Sequence, residues 1–203
     1  MDTTEIYKLA EEYARSGEKH TRLKAVDLYR EAAQNNHPAA QYIMGQMLEW
    51  GVVGFFDPGE PDTIVAMIPI NREESEIWYR RAAGQGYTKA QCKVAWNCLC
   101  ENNVNEALKW YNEAAYLGDV EAMCRLGEMY REGEYVEKDL YKSISYYKMA
   151  AEKGDKNAFF ELVTFVQDYL EEEGDPNTLN IFRDIFKDNP ELHKLVMLSA
   201  EEE

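Results

Sequence analysis

The feature of the sequence that most constrains its fold is a pattern that recurs four times along the chain. Each copy has a pair of alanines, a doublet of bulky side chains four residues before the pair, and a polar residue seven residues before the doublet. The alanine pairs are Ala32–Ala33, Ala82–Ala83, Ala114–Ala115 and Ala150–Ala151, and the polar residues are Thr21, Asn71, Asn103 and Asp139. Side chains of these polar types accept a hydrogen bond from the first free backbone amides of a helix. The spacing therefore predicts a helix that starts after each polar residue and ends soon after each alanine pair.

A second pattern lies between the copies of the first and has an alanine followed by larger side chains two and four residues later. It begins at Ala40, Ala90, Ala122 and Ala158, and a weaker copy lies around Tyr7, Leu9 and Ala10. The four copies superimpose position by position, which predicts a first helix to pair with each helix of the first pattern. Successive copies are 50, 32 and 36 residues apart, and a period in this range is typical of stacked helix–turn–helix units. The sequence therefore predicts an all-α array.

The predicted organisation is a repeat array over residues 1–174 followed by a C-terminal cap. The units are expected at 5–37, 38–86, 87–118 and 119–154, with a degenerate copy from residue 155. The run Gly174-Asp175-Pro176 interrupts the helical pattern, which resumes in residues 175–203. The last unit of a stacked array has an apolar face that must be covered. Residues 175–203 are therefore predicted to be capping helices, with a tail that docks a partner as the alternative.

The stretch from Gly133 to Gly154 has the most complete copy of the motif. It contains Val136, Asp139, Lys142, Tyr146, Ala150 and Ala151 in register. This arrangement resembles the Sel-one-like repeat, a relative of the tetratricopeptide repeat, and the resemblance extends over residues 5–170. The resemblance implies a right-handed α/α superhelical solenoid of about four helix pairs with a C-terminal helical cap. It also implies an adaptor that holds proteins through its concave face or groove edges, with no catalytic residues and no cofactor.

The second predicted repeat, 38–86, is lengthened by an insertion, residues 52–70, that is unusually apolar for a loop. Asp57-Pro58-Gly59 is a turn signal within it. The candidate partner-binding residues lie on both sides of that turn: Phe55, Phe56, Ile64, Val65, Met67 and Ile68. Exposed apolar surface of this extent marks a contact site. The alternative, that the loop folds back on the array and buries its own aromatics, stays open from the sequence.

The charge balance restricts the partners. The chain has 22 basic and 38 acidic residues, a formal net charge of −16 at pH 7. Because negative charge repels the phosphates of nucleic acids and of anionic membranes, the expected partner is a protein, and the charge is compatible with a basic one. The same acidity suits a soluble monomer. With no long apolar run and no secretory pattern at the N-terminus, no membrane span is predicted and the cytoplasm is the expected location.

The sequence has little that indicates catalysis. The three histidines, His20, His37 and His193, are far apart, so no metal site is predicted. His37 precedes a proline in a turn and is expected at the surface. The four cysteines form no Cys-x-x-Cys pair and are expected to be reduced and buried. No nucleophile elbow, phosphate loop or dinucleotide motif occurs, so we expect a protein that is not an enzyme, with a hydrolase as the remote alternative.

Taken together, these features favour a non-catalytic protein–protein interaction module, an adaptor or scaffold. The partner would be held by the groove of the solenoid and by the apolar insertion. The alternative is a dedicated inhibitor, such as an immunity protein that neutralises a cognate toxin. Its motivation is the small size, the acidity and the single insertion in an otherwise regular array.

Overall fold

The computed structural model describes residues 1–16, 19–51 and 68–172. The regular secondary structure of these ranges is α-helical. The helices are α1 (Thr3–Arg15), α2 (Lys19–Gln34), α3 (Pro38–Trp50), α4 (Arg72–Gly84), α5 (Thr88–Cys100), α6 (Val104–Tyr116), α7 (Val120–Glu132), α8 (Leu140–Glu152) and α9 (Lys156–Glu172). The capping helices predicted at 175–203 lie outside the described residues. The chain divides into two compact units, Met1–Leu117 and Gly118–Glu203, which are described separately.

The helices of each unit pack as hairpins. In the first unit α1 packs on α2, α3 on α4 and α5 on α6, and the pairs are joined by the packing of α2 on α3 and of α4 on α5. In the second unit α7 packs on α8, and α8 packs on α9. Except between α3 and α4, which are separated by residues 51–71, short turns between consecutive helices return the chain antiparallel to itself, which makes each pair a local unit. This is the helix–turn–helix repetition that the sequence predicts.

Small residues stand where the paired helices approach most closely. A Cβ atom added at Gly45 of α3 would lie 2.6 Å from Cε1 of Tyr79 in α4, which is far inside the contact distance of two carbons. At the equivalent place in the second unit, a Cβ at Gly127 would lie 3.0 Å from Cε2 of Tyr147. The glycines therefore let each tyrosine ring lie against the backbone of the partner helix.

The same two helix pairs share an inter-helix hydrogen bond. The hydroxyl of Ser75 donates to the carbonyl of Gly45 at 2.8 Å, and the hydroxyl of Ser143 donates to the carbonyl of Gly127 at 2.8 Å. Both serines are buried. A buried hydroxyl needs a partner, so this bond fixes the register of the second helix against the first.

The predicted helix starts are partly confirmed. The side chains of Asn71 and Asp139 accept from backbone amides three residues later, at 3.1 and 3.0 Å. The prediction for Thr21 is wrong, because Thr21 lies inside α2. Asn103 stands at the start of α6 but makes no side-chain capping bond; its amide donates instead to Oε2 of Glu106 at 2.8 Å.

Candidate functional site

The ends of the insertion meet at the C-terminal end of α3. Helix α3 ends at Gly51, which has a φ of +72°, a conformation that favours glycine. A Cβ there would lie 3.3 Å from the carbonyl oxygen of Ile68. Three residues further on, the backbone amide of Asn71 donates to the carbonyl of Leu48 at 2.8 Å. The chain therefore leaves α3 and returns to the same place before α4 begins.

The structure describes one of the six candidate residues of the insertion. Phe55, Phe56, Ile64, Val65 and Met67 lie outside the described residues. Ile68 is 8% exposed and belongs to a buried cluster with Met44, Leu48 and Trp78. This burial anchors the C-terminal end of the insertion on the core of the first unit, and the binding role of the six residues stays a prediction.

Two large apolar side chains next to the insertion are exposed. Trp50, the last residue of α3, is 72% exposed, and Ile70 is 64% exposed. We call Trp50, Gly51 and Ile70 the insertion base. Trp50 was not among the residues predicted from the sequence. The signal that was available is a tryptophan immediately before the glycine that ends α3, since tryptophan is enriched among residues that dominate binding energies.

A second surface of the first unit is lined by aromatic rings from successive hairpins. Tyr7 of α1 stacks on His37, with ring centroids 4.3 Å apart and an interplanar angle of 15°. Tyr42 of α3 meets Tyr87 at 5.4 Å and 51°. His37 and Tyr87 are the residues that precede α3 and α5, so each ring on a first helix packs against the start of the next first helix.

One carboxylate is hydrogen-bonded to the first of these rings. The hydroxyl of Tyr7 donates to Oε1 of Glu11 at 3.1 Å. Burial raises the pKa of Tyr7 and of Tyr87, and the negative charge of Glu11 raises both further. We call Tyr7, Glu11, His37, Tyr42 and Tyr87 the tyrosine face; all five are partly exposed.

His37 is held in its neutral form on this surface. Burial lowers the pKa of His37, and the charge of Glu11 offsets part of that effect. Its Nδ1 atom accepts a hydrogen bond from the backbone amide of Ala40 at 3.3 Å, which requires an unprotonated nitrogen. His37 is partly exposed, as expected of a surface residue, and it also serves as the N-cap of α3. Glu11 is the one carboxylate of the tyrosine face.

The described residues contain little that resembles a reactive centre. Within ranges 1–16, 19–51 and 68–172, no three His, Cys, Asp or Glu side chains come together in a way that could hold a metal ion. All four cysteines are free thiols; Cys92 and Cys98 are buried, Cys124 is partly exposed, and Cys100 is exposed, contrary to expectation. Burial raises the pKa of Cys98 and brings that of Cys124 to about 11, so both are protonated at neutral pH and weakly nucleophilic. None of the described helices combines the length and the apolar character needed to cross a membrane.

Sequence comparison assigns the repeat. The family model of the Sel1 repeat matches residues 6–37, 38–87, 88–119 and 120–155. The chain belongs to the Sel1 repeat family. Sel1 repeat proteins act in protein–protein interaction and are generally regulators or adaptors without catalytic activity. The predicted Sel-one-like resemblance is thereby confirmed.

Known structures agree with this assignment. The crystal structure of a Sel1 repeat protein from Oxalobacter formigenes superimposes with a TM-score of 0.66 at 22% identity and covers 100% of this chain and 89% of that one. The structure of an immunity protein from Pseudomonas aeruginosa has a TM-score of 0.54 at 21% identity, covering 98% and 67%. At these identities the likeness concerns the fold alone. The prediction of an all-α solenoid of Sel1-type helix pairs is confirmed at that level.

A curated Sel1 relative is much longer. Chitin synthase regulatory factor 3 of Schizosaccharomyces pombe is 30% identical over 156 residues, which is 74% of this chain but 15% of that protein. The chain spans a similarly small part of the other curated relatives it matches first. The similarity therefore concerns the repeat array rather than the activity of a whole protein.

Proposed function

We propose that this Sel1 repeat chain is a non-catalytic adaptor that binds a protein partner through the insertion 52–70, its base, and the groove lined by the first helices. The observation that carries the proposal is the insertion base, where Trp50 and Ile70 are 72% and 64% exposed. They stand where an apolar insertion leaves and rejoins a rigid hairpin. The net charge of −16 favours a basic partner through electrostatic steering. We further propose that the chain acts as a cytoplasmic monomer.

Trp50 has the properties of a binding anchor. Its side chain is attached to the last turn of α3, and α3 is held to α4 by the packing of Gly45 on Tyr79. A side chain on a rigid element loses less conformational entropy when it is covered. Burying a large side chain completely contributes about 1.5–3 kcal/mol, most of which is still available to Trp50. Together with the apolar residues of the insertion, it supports a contact patch centred on the end of α3.

Affinity capture from native lysate tests the proposal. The bait is the intact chain, and the test variant combines Trp50→Ala with Ile70→Ser. The matched control is Ile77→Ser, because Ile77 is another exposed isoleucine, 51% exposed on α4, and is not part of the insertion base. Circular dichroism and thermal unfolding check that all three proteins fold.

The expected result is one stoichiometric partner that the control retains and the test variant loses. Retention of that partner by a folded test variant would place its binding site elsewhere and contradict the proposal. Capture of many weakly held proteins, equally by all three baits, would contradict the idea of a defined contact surface.

A dedicated inhibitor, such as an immunity protein that neutralises a toxin, is the narrower form of this proposal. It is supported by the presence of one irregular insertion in an otherwise regular array. The distinguishing experiment is co-expression of the captured partner with the intact chain or with the Trp50→Ala, Ile70→Ser variant. A toxic partner that the intact chain neutralises and the variant does not would support the inhibitor proposal. A harmless partner would exclude the inhibitor, and the adaptor function would remain the proposal.

A further inference from the structure

The chain holds two of its own lysines by the combination of a tyrosine ring and a carboxylate. Nζ of Lys93 lies 2.6 Å from Oε1 of Glu49 and 5.7 Å from the ring centroid of Tyr79. In the second unit, Nζ of Lys142 lies 3.0 Å from Oδ2 of Asp139 and 4.9 Å from the ring centroid of Tyr130. The carboxylate supplies the opposite charge, and the ring face attracts the cation through its quadrupole.

The tyrosine face presents the same components to solvent. Glu11 accepts from the hydroxyl of Tyr7 and lies within electrostatic reach of Tyr87 and His37. Its carboxylate is therefore hydrogen-bonded to a ring of α1, and that ring stacks on His37 at the start of α3. Because the rings are neutral at physiological pH, the local charge is that of the carboxylate.

Among the described residues, Arg15 is the cation that pairs with Glu11, and this ion pair is weak. NH2 of Arg15 lies 3.7 Å from Oε2 of Glu11, and the Arg15 side chain is 78% exposed. A distance of this size is beyond a good hydrogen bond, and exposed pairs one helical turn apart contribute little. An incoming ammonium can therefore displace Arg15 at small cost.

We infer that the tyrosine face receives a lysine side chain of the protein partner, with Glu11 as the counter-ion and the rings of Tyr7 and Tyr87 beside the ammonium. The inference rests on the proposed function only in taking the occupant to be part of a protein. An anionic or purely apolar occupant fits less well, because an anion would be repelled by the carboxylate and an apolar group would cover it without adding a counter-charge to the weakly held Arg15. The tyrosine face would then specify a basic side chain, while the insertion base contributes apolar contact.

The test is an NMR titration of the full chain with a defined peptide. The probe is Gly-Ser-Lys-Ser-Gly with both ends blocked, and the control peptide has norleucine in place of lysine. The observed signals are the tyrosine ring resonances, assigned with single Tyr→Phe variants. We expect saturable shifts of the Tyr7 and Tyr87 rings with the lysine peptide only, with a dissociation constant on the order of millimolar for one isolated side chain.

A pair of charge-matched variants makes the result specific. Glu11→Gln is expected to weaken the lysine peptide about fivefold or more, and it keeps an acceptor for the hydroxyl of Tyr7. Glu12→Gln removes the same charge from the neighbouring, exposed position of α1 and is expected to change the affinity by less than about twofold.

Three results would overturn the inference. These are equal shifts with the norleucine peptide, equal weakening by both glutamine variants, and ring shifts confined to other tyrosines such as the exposed Tyr116. None of them involves the insertion base. If the peptide fails while the Trp50→Ala, Ile70→Ser variant still loses its protein partner, the lysine site is refuted and the proposed function stands.

Discussion

Gln85 and Leu117 follow equivalent helices, and their positions correspond to two equivalent buried glutamines, Gln41 and Gln91. We expect Gln85→Leu to lower the free energy of unfolding and Leu117→Gln to raise it, because Gln85 donates a hydrogen bond to its glutamine and Leu117 cannot. The amide of Gln41 donates to the carbonyl of Ala33 at 3.2 Å, and its Oε1 accepts from Nε2 of Gln85 at 2.7 Å. One repeat later, the amide of Gln91 donates to the carbonyl of Ala83 at 3.3 Å. Among the described residues, however, Oε1 of Gln91 is buried without a hydrogen-bond partner.

Leu117 is the residue that stands where the donor is needed. It follows α6 as Gln85 follows α4, with nearly the same backbone conformation: φ −75° and ψ 0° against φ −93° and ψ 6°. A glutamine at 117 can therefore adopt the geometry of Gln85 without backbone strain. We expect Leu117→Gln to supply the missing donor and Gln85→Leu to remove the existing one.

The magnitudes follow from burial. Gln41 is 2% exposed, so Gln85→Leu leaves a buried acceptor unpaired and should lower the free energy of unfolding by about 1–3 kcal/mol. Leu117→Gln relieves the same kind of cost at Gln91, but it loses the packing of a leucine that is 54% exposed. That loss is less than half of the 1.5–3 kcal/mol for a fully buried side chain. The expected net effect is stabilisation by about 1 kcal/mol.

Urea unfolding monitored by circular dichroism measures both changes. A double-mutant cycle of Leu117→Gln with Gln91→Met isolates the interaction between the two side chains, and the expected coupling is about 1 kcal/mol. If Leu117→Gln destabilises the protein and shows no coupling to Gln91→Met, then Oε1 of Gln91 already has an adequate partner and the reasoning is refuted.

Two further perturbations test the packing and the capping of the first unit. Gly45→Ala would bring a methyl group against the buried ring of Tyr79 and should lower the free energy of unfolding by about 2 kcal/mol. The control is Gly84→Ala, which should be neutral or stabilising because no atom lies within 4 Å of the added carbon. Equal effects of the two substitutions in urea unfolding would refute the steric argument. The pKa of His37 lies below its ordinary value of 6.5 in the folded chain, so the unfolded state binds more protons, and stability is lost as the pH falls through 6.5 toward the lower pKa of the folded state. His37→Asn keeps a capping side chain but cannot titrate, so this variant should lose less stability than the unchanged chain over the same fall in pH. The same pH dependence of stability in both proteins would contradict the claim that His37 caps α3 in its neutral form.

The helices could be predicted because the signals that define them are local. The spacing of cap, bulky doublet and alanine pair is a property of one helix and its partner, and it locates α4 and α8 through Asn71 and Asp139. The same signal failed at Thr21, which lies inside α2. At Asn103 it locates the start of α6, but the side-chain capping bond is absent, because such a bond also depends on backbone conformation. Asn103 has φ −94° and ψ 68°, and its amide is engaged by Glu106 instead.

The residues of the proposed binding surfaces were harder to predict from the sequence, because these surfaces combine residues that are far apart along the chain. In the tyrosine face, residue 7 contacts residue 37 and residue 42 contacts residue 87, and nothing in the sequence around any one of these residues indicates those contacts. A partial signal was present, since Tyr7 and Tyr42 occupy the same position of the first-helix pattern. The exposure of Trp50 likewise depends on how the chain leaves α3 at Gly51, a three-dimensional property that no spacing expresses.

Hydrogen–deuterium exchange of the intact chain, alone and with its captured partner, tests the central claim most directly. Binding through the insertion base and the tyrosine face predicts slower exchange in the peptides that cover residues 48–71 and in those that contain Tyr7, Glu11, His37 and Tyr87. The peptides of α8 and α9 are expected to exchange at the same rate in both samples. Protection confined to residues 120–172, with the insertion and the first-helix segments unchanged, would contradict the account.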